Sequence, residues 1–138
     1  MSKPGNHEDT ARCEHISRML ARISDKWSLL VVRVLGLGPC RFNALRREVG
    51  EISQKVLAST LRDLEENGFV SRTVTPSTPP QVEYALTELG KDFLCPVKGL
   101  AEWVIANSSR LDAARANYAE RRKREAELSE ARRASGQI

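Results

Sequence analysis

Apolar residues recur along this chain at two spacings, and the change between them divides it into elements. Over 11–23, Ile16, Met19, Leu20 and Ile23 fall at i, i+3, i+4 and i+7, which predicts a first helix with one apolar stripe. Ser24-Asp25 breaks it and offers a new N-cap. A second helix over 26–35 carries Trp27, Leu30, Val31, Val34 and Leu35, and its nearly continuous apolar surface makes it the most deeply buried. Gly36-Leu37-Gly38-Pro39 stops it, since Gly tolerates the cap conformation and Pro cannot continue a helix. Cys40-Arg41-Phe42 opens a third helix over 42–49, with Phe42, Leu45 and Val49 on its apolar side. After Gly50-Glu51-Ile52, a fourth helix begins at an N-cap Ser53 and stops at Asn67-Gly68. Its inner stripe is Leu57, Leu61 and Leu64.

The period then falls to two. Phe69 to Val74 reads as a strand, rich in β-branched residues, and 81–86 as a half-buried return strand. The loop between them, 75–80, is stiffened by three prolines. Thr87 caps a long helix from near Glu88, with Leu89, Phe93, Leu94, Val97, Leu100, Trp103 and Val104 apolar, which Pro96 should kink or interrupt. Trp103 lies beyond the part of the chain that can build a compact core around the hairpin. Residues 110–134 keep a helical composition of Ala, Arg and Glu without a sustained heptad, so they form either a solvent-exposed helix or a dimerisation arm. Two short helices joined by a Gly-containing turn make a helix-turn-helix, and Ile52 is placed to plug its angle. A hairpin directly after the second of those helices is the wing of a winged-helix domain.

Composition adds limits. A chain of 138 residues with 41% hydrophobic content supports one domain with appendages. No run reaches the roughly 18 apolar residues of a membrane span, and residues 1–10 read as a polar, disordered arm without a secretory signal. The expectation is a soluble protein of the cytoplasm. Cys13, Cys40 and Cys95 are an odd, widely spaced set that suits free thiols. The net charge of +4 is mostly a property of the tail: from Arg110 onward eight Lys/Arg face five Asp/Glu, against fourteen and thirteen before it. Nucleic-acid binding therefore rests on where the charges sit, and total charge contributes little. The run Arg121-Arg122-Lys123-Arg124 is interspersed with Glu120, Glu125, Glu127 and Glu130, which favours a solvated helix over a DNA contact.

The helix over 53–68 turns Gln54, Lys55, Ala58, Ser59 and Arg62 away from its apolar stripe. Amide, cationic and methyl groups on one face can enter a major groove and meet base edges, so these five are the expected base readers. Arg41, Arg46, Arg47, Ser53, Arg72, Ser77 and Thr78 are the expected contacts to the DNA backbone. Cys13, beside Arg12 and His15, is the candidate redox thiol; Cys40 is second, and Cys95 is expected to be buried and inert. His7, Cys13 and His15 do not make a metal site, and no catalytic motif or cofactor signature is present in the sequence.

Taken together, four blocks resemble the HxlR-type winged-helix regulators, relatives of the MarR family. They are Asp25-Lys26-Trp27-Ser28-Leu29-Leu30, Arg41-Phe42-Asn43-Ala44-Leu45, Ile52 through Leu57 with Leu61 through Gly68, and Pro79 through Gly90, within about residues 16–104. The resemblance implies a homodimeric bacterial transcription factor on a palindromic operator, with dimer contacts from the first and last helices at Ile16, Met19, Leu20, Val97, Leu100, Trp103 and Val104. It also implies a core role for Trp27 and a phosphate-facing role for Arg41. Two positions depart from it. Gln81 stands where the wing usually carries a basic residue, and Cys13 lies one residue, about 100° of helix, from the register of the family's usual thiol.

The expected fold is mainly α with a small β-hairpin (α+β): a winged helix-turn-helix with N- and C-terminal dimerisation helices over 11–108, and a charged helical extension or tail over 109–138. The expected function is sequence-specific regulation of transcription on double-stranded DNA, with release by an oxidant or small-molecule effector and no enzymatic activity. The alternative is a winged-helix module that binds a protein partner through the same face. Steep salt dependence would distinguish DNA binding from that alternative.

Overall fold

The structure, a computed structural model, describes residues 7–136 and runs α1 (His7–Ile23), α2 (Lys26–Leu35), β1 (Cys40–Arg41), α3 (Phe42–Val49), α4 (Gln54–Glu66), β2 (Val70–Thr75), β3 (Gln81–Leu86) and α5 (Glu88–Gly136). By its contacts the chain divides into two compact units, the first ending at Lys98 and the second beginning at Gly99.

Each boundary in the first unit has a local cause. Asp25 caps α2 by accepting from the Trp27 and Ser28 amides, and its other oxygen takes the Ser28 hydroxyl at 2.7 Å. That bond satisfies a polar side chain buried in the core, for Ser28 is 2% exposed. Only Lys26 and Arg33 of the ten α2 residues are exposed, as its apolar composition requires. Ser53 caps α4 through the Val56 amide at 3.1 Å. At the far end Gly68, at φ 81°, donates to Leu64's neighbour Glu65, and Phe69 donates to Leu64. This paired arrangement is a Schellman stop, and the left-handed residue it needs is a glycine.

The core joins α2 (Val31, Val32, Leu35), α3 (Leu45), Ile52, α4 (Leu57, Leu61, Leu64), Phe69, Val70 and Val97. Full burial of each such aliphatic side chain stabilises by about 1.5–3 kcal/mol. Ile52 fills the helix-turn-helix angle at 4% exposure. Phe69 and Phe93 stack with centroids 4.6 Å apart, fixing the start of α5 against the strand entry. Gly90 permits that approach, since a Cβ there would lie 2.1 Å from the Phe69 carbonyl oxygen. Thr87 closes the base of the hairpin: its amide donates to Phe69, its hydroxyl to Gly68, and the same oxygen caps α5 at Gly90.

The three strands form an antiparallel sheet in the order β1-β3-β2. β2 and β3 pair from Val70↔Leu86 to Thr75↔Gln81, and β1 adds Cys40↔Tyr84 and Arg41↔Glu83. α1 buries none of its residues within the chain; Arg22 and Asn67 hold it to the end of α4 by exchanging hydrogen bonds of 3.2 and 3.4 Å.

Several expectations are corrected. Cys40-Arg41 is a short strand recruited by β3, where a helix opening was expected. α1 starts at His7, so His7 to Thr10 are helical; the rest of the expected disordered arm lies outside the described residues. Pro96 sits within α5 without ending it. Its ring removes the donor to the Asp92 carbonyl, but both residues are exposed and water can take that bond. Cys95 is exposed, because the apolar stripe of α5 turns Phe93, Leu94 and Val97 inward on either side of it. Val97, at 5% exposure, belongs to the core and has no surface left for a dimer contact. In the second unit, helical residues leave Leu100, Trp103, Val104, Ile105, Leu111, Tyr118 and Leu128 exposed. Arg121 lies over the Tyr118 ring and Arg122 pairs with Glu125 at 3.8 Å. No helix among the described residues is long and apolar enough to cross a membrane.

Candidate nucleic-acid interface

The buried stripe of α4 dictates what its other face presents. With Leu57, Thr60, Leu61 and Leu64 turned inward, Gln54, Lys55, Ala58, Ser59 and Arg62 are all exposed on the opposite side. Their offsets of one, four, five and eight residues keep them on one face, in a helix whose first turn is rigidly capped. Thr60 is the inward residue that the sequence pattern missed, because a lone Thr between leucines carries no apolar signal.

The structure sorts the expected backbone contacts by what each side chain already does. Arg46 donates from Nε to the Ile52 carbonyl at 3.0 Å, bracing the turn between α3 and α4 while its remaining N–H groups stay at the surface. Arg47, with Asn43, Arg46 and Gly50, borders a shallow depression on α3. Arg41 donates from Nη2 to the Gln81 Oε1, linking β1 to the first residue of β3. Arg41, Asn43, Arg47, Gln81 and Val82 then share the rim of a second concavity, beside the tip end of β3. Arg72 stands exposed on β2, and Thr78 on the wing tip. Ser77 has its hydroxyl committed to the Pro79 carbonyl at 2.6 Å, so its only proton is already donated inside the loop. Asn43 and Gln81 were missed as members of this group. They are neutral amides, and only the fold brings Gln81 to Arg41 across forty positions.

Away from this face, Cys13 is exposed on α1 beside Glu14, Ser17 and Arg18. Its i+3 and i+7 neighbours Ile16 and Leu20 are apolar and about half exposed, at 47% and 49%. Cys40 is half-buried, and burial, with the Glu48 carboxylate second, pushes its thiol pKa above the ordinary value of 9.0. Among the described residues no group of three or more His, Cys, Asp or Glu is placed to hold a metal ion.

A family model for HxlR-like helix-turn-helix proteins matches residues 22–112, from the end of α1 well into α5. The chain belongs to this family. Among its HxlR-like relatives, the HTH-type transcriptional regulator YtfH of Escherichia coli is 40% identical over 89 residues, covering 64% of this chain and 71% of the relative. The structure is similar to that of the transcriptional regulator YtfH from Salmonella typhimurium, with a TM-score of 0.67 and 38% identity over 72% of this chain and 88% of that one. It is equally similar to the redox regulator HypR in its reduced form, with a TM-score of 0.67 and 36% identity over 71% and 97%. The protein is thus a winged helix-turn-helix transcriptional regulator of the HxlR type, and α4 occupies the recognition-helix position. Residues 113–136, still helical, lie outside the match.

Proposed function

We propose that this HxlR-like regulator is a homodimer that binds a palindromic operator through α4 and the wing, in the cytoplasm, and that an oxidant or small electrophile releases it. The observation that carries the reading is the exposed face of Gln54, Lys55, Ala58, Ser59 and Arg62, held by a capped helix, with Arg41, Arg46, Arg47 and Arg72 also exposed in the same unit. Ser53 and Thr78 are exposed and remain backbone-contact candidates; Ser77 has its donor occupied. Dimerisation is supported by the exposed Ile16 and Leu20 on α1 and by Leu100, Trp103 and Val104 on α5, with half-buried Met19 beside the first pair. Cys13 lies on the Ile16–Leu20 side of α1, where a polar sulfur oxide or an adduct would disturb apolar packing. That HypR is described as a redox regulator with reduced and oxidised forms supports assigning the sensing role to a thiol here.

Fluorescence anisotropy on DNA from upstream of the protein's own gene, against a scrambled duplex, tests the reading. Affinity should fall steeply between about 50 and 200 mM salt, as counterion release demands. Arg62→Ala should lose about 1–3 kcal/mol on the preferred fragment and relax discrimination at one base position. Binding that ignores salt would instead favour a protein partner on this face. Cys13→Ser should retain DNA binding in the presence of diamide if that thiol is the sensor.

A further inference from the structure

Gln81 stands where a basic residue would give the wing a direct phosphate contact, and it accepts a hydrogen bond from Arg41 instead. Both ends of this pair are fixed by the sheet. Gln81 opens β3 opposite Thr75, and Arg41 closes β1 opposite Glu83. Both residues are exposed and lie on the rim of the concavity that also takes in Asn43 and Arg47.

The chemistry of the pair is specific. A guanidinium has five N–H donors in a planar fork, and one bond to an amide oxygen leaves most of that fork free. A carboxylate in the same place would hold the side chain and also neutralise it. An amide holds it without adding a charge of its own. With Oε1 used as acceptor, the Gln81 Nε2 remains a donor on the same rim. An unrestrained arginine on a surface must lose rotamer freedom when it meets a phosphate, and a neutral partner already in place removes part of that cost at folding.

We infer that Gln81 is a positioning residue, which holds the Arg41 guanidinium beside the tip end of the wing ladder for a DNA phosphate. This rests on the DNA-binding reading of the preceding subsection. It replaces a second cation on the wing by a better-ordered first one.

The test is anisotropy with the full-length protein on the upstream and scrambled duplexes over a salt series, for wild type, Gln81→Ala, Arg41→Ala and the double variant. Gln81→Ala should weaken binding about two- to tenfold. The factor should be the same on both duplexes, as for any contact to the backbone. Arg41→Ala should reduce the slope of log affinity against log salt by about one phosphate contact, while Gln81→Ala leaves that slope unchanged. In the Arg41→Ala background Gln81→Ala should cost nothing further; a residue that merely stabilised the wing would cost the same in either background. Gln81→Ala that binds as wild type does, or more tightly, overturns the inference, as does an equal cost in the absence of Arg41. Wild-type protein without salt-steep binding to either duplex overturns the regulator reading and this inference together.

Discussion

Cys40 and Cys13 show how position sets the chemistry of one residue type. Cys40 is half-buried in the short strand β1, and its pKa is raised chiefly by burial and then by Glu48. A raised pKa in the folded state means that folding favours the neutral thiol. This contribution to stability is complete at neutral pH and disappears as pH climbs through the raised value, above the ordinary 9.0. The same shift lowers the thiolate fraction near neutrality. Alkylation by a maleimide near neutral pH should therefore modify Cys40 more slowly than exposed Cys13 or Cys95. Peptide mapping of the labelled protein at successive times would check the order; Cys40 labelling first would contradict the assigned burial. Arg46 makes a related point, since its single bond to the Ile52 carbonyl makes it part of the turn as well as part of the charged surface.

At the scale of elements, the join between the hairpin and α5 is the tightest. A Cβ at position 90 would meet the Phe69 carbonyl oxygen at 2.1 Å, a backbone atom that cannot rotate away. Gly90→Ala should destabilise the protein by about 1–3 kcal/mol, as overpacking does, and lower its melting temperature by several degrees in a calorimetric scan. An unchanged melting point would mean that α5 slides freely against Phe69. Elements with their own periodicity and caps were legible in the sequence: α2, α3 and β3 start and end where their residues predicted. The outward face of α4 followed from its leucines alone. What could not be read locally depends on partners distant in sequence. β1 has two residues and no alternation of its own, and it exists because β3 offers Tyr84 and Glu83. The interior place of Val97 and the exposure of Cys95 follow from how α5 is rotated against the core, a choice that its mixed stripe left open. The Arg41–Gln81 bond is of the same kind, because sequence alone records only that a cation is missing from the wing.

The whole molecule carries more apolar surface than a lone chain needs. In the first unit no residue of α1 is fully buried, and Ile16 and Leu20 are exposed; in the second, Leu100, Trp103 and Val104 are 44–53% exposed. A protein that works as a homodimer would cover such residues with a second copy. Trp103→Glu should then weaken self-association by about 2 kcal/mol or more, as loss of a central aromatic anchor does. Sedimentation at falling concentration would show the variant dissociating first, with DNA affinity lost in parallel. A wild-type chain that sediments as a monomer at every concentration would remove the two-fold symmetry that a palindromic operator requires.

The three bonds made by Thr87 at the base of the hairpin have a further consequence. They fasten Gly68, Phe69 and the first turn of α5 together, so the ladder is closed below and residues 76–80 hang from it as a free tip. Changes in the length or composition of that tip have no register to shift and no core to disturb. The wing tip is thus where this scaffold can acquire a new operator preference by small insertions, and where a laboratory could graft a peptide tag without refolding the rest.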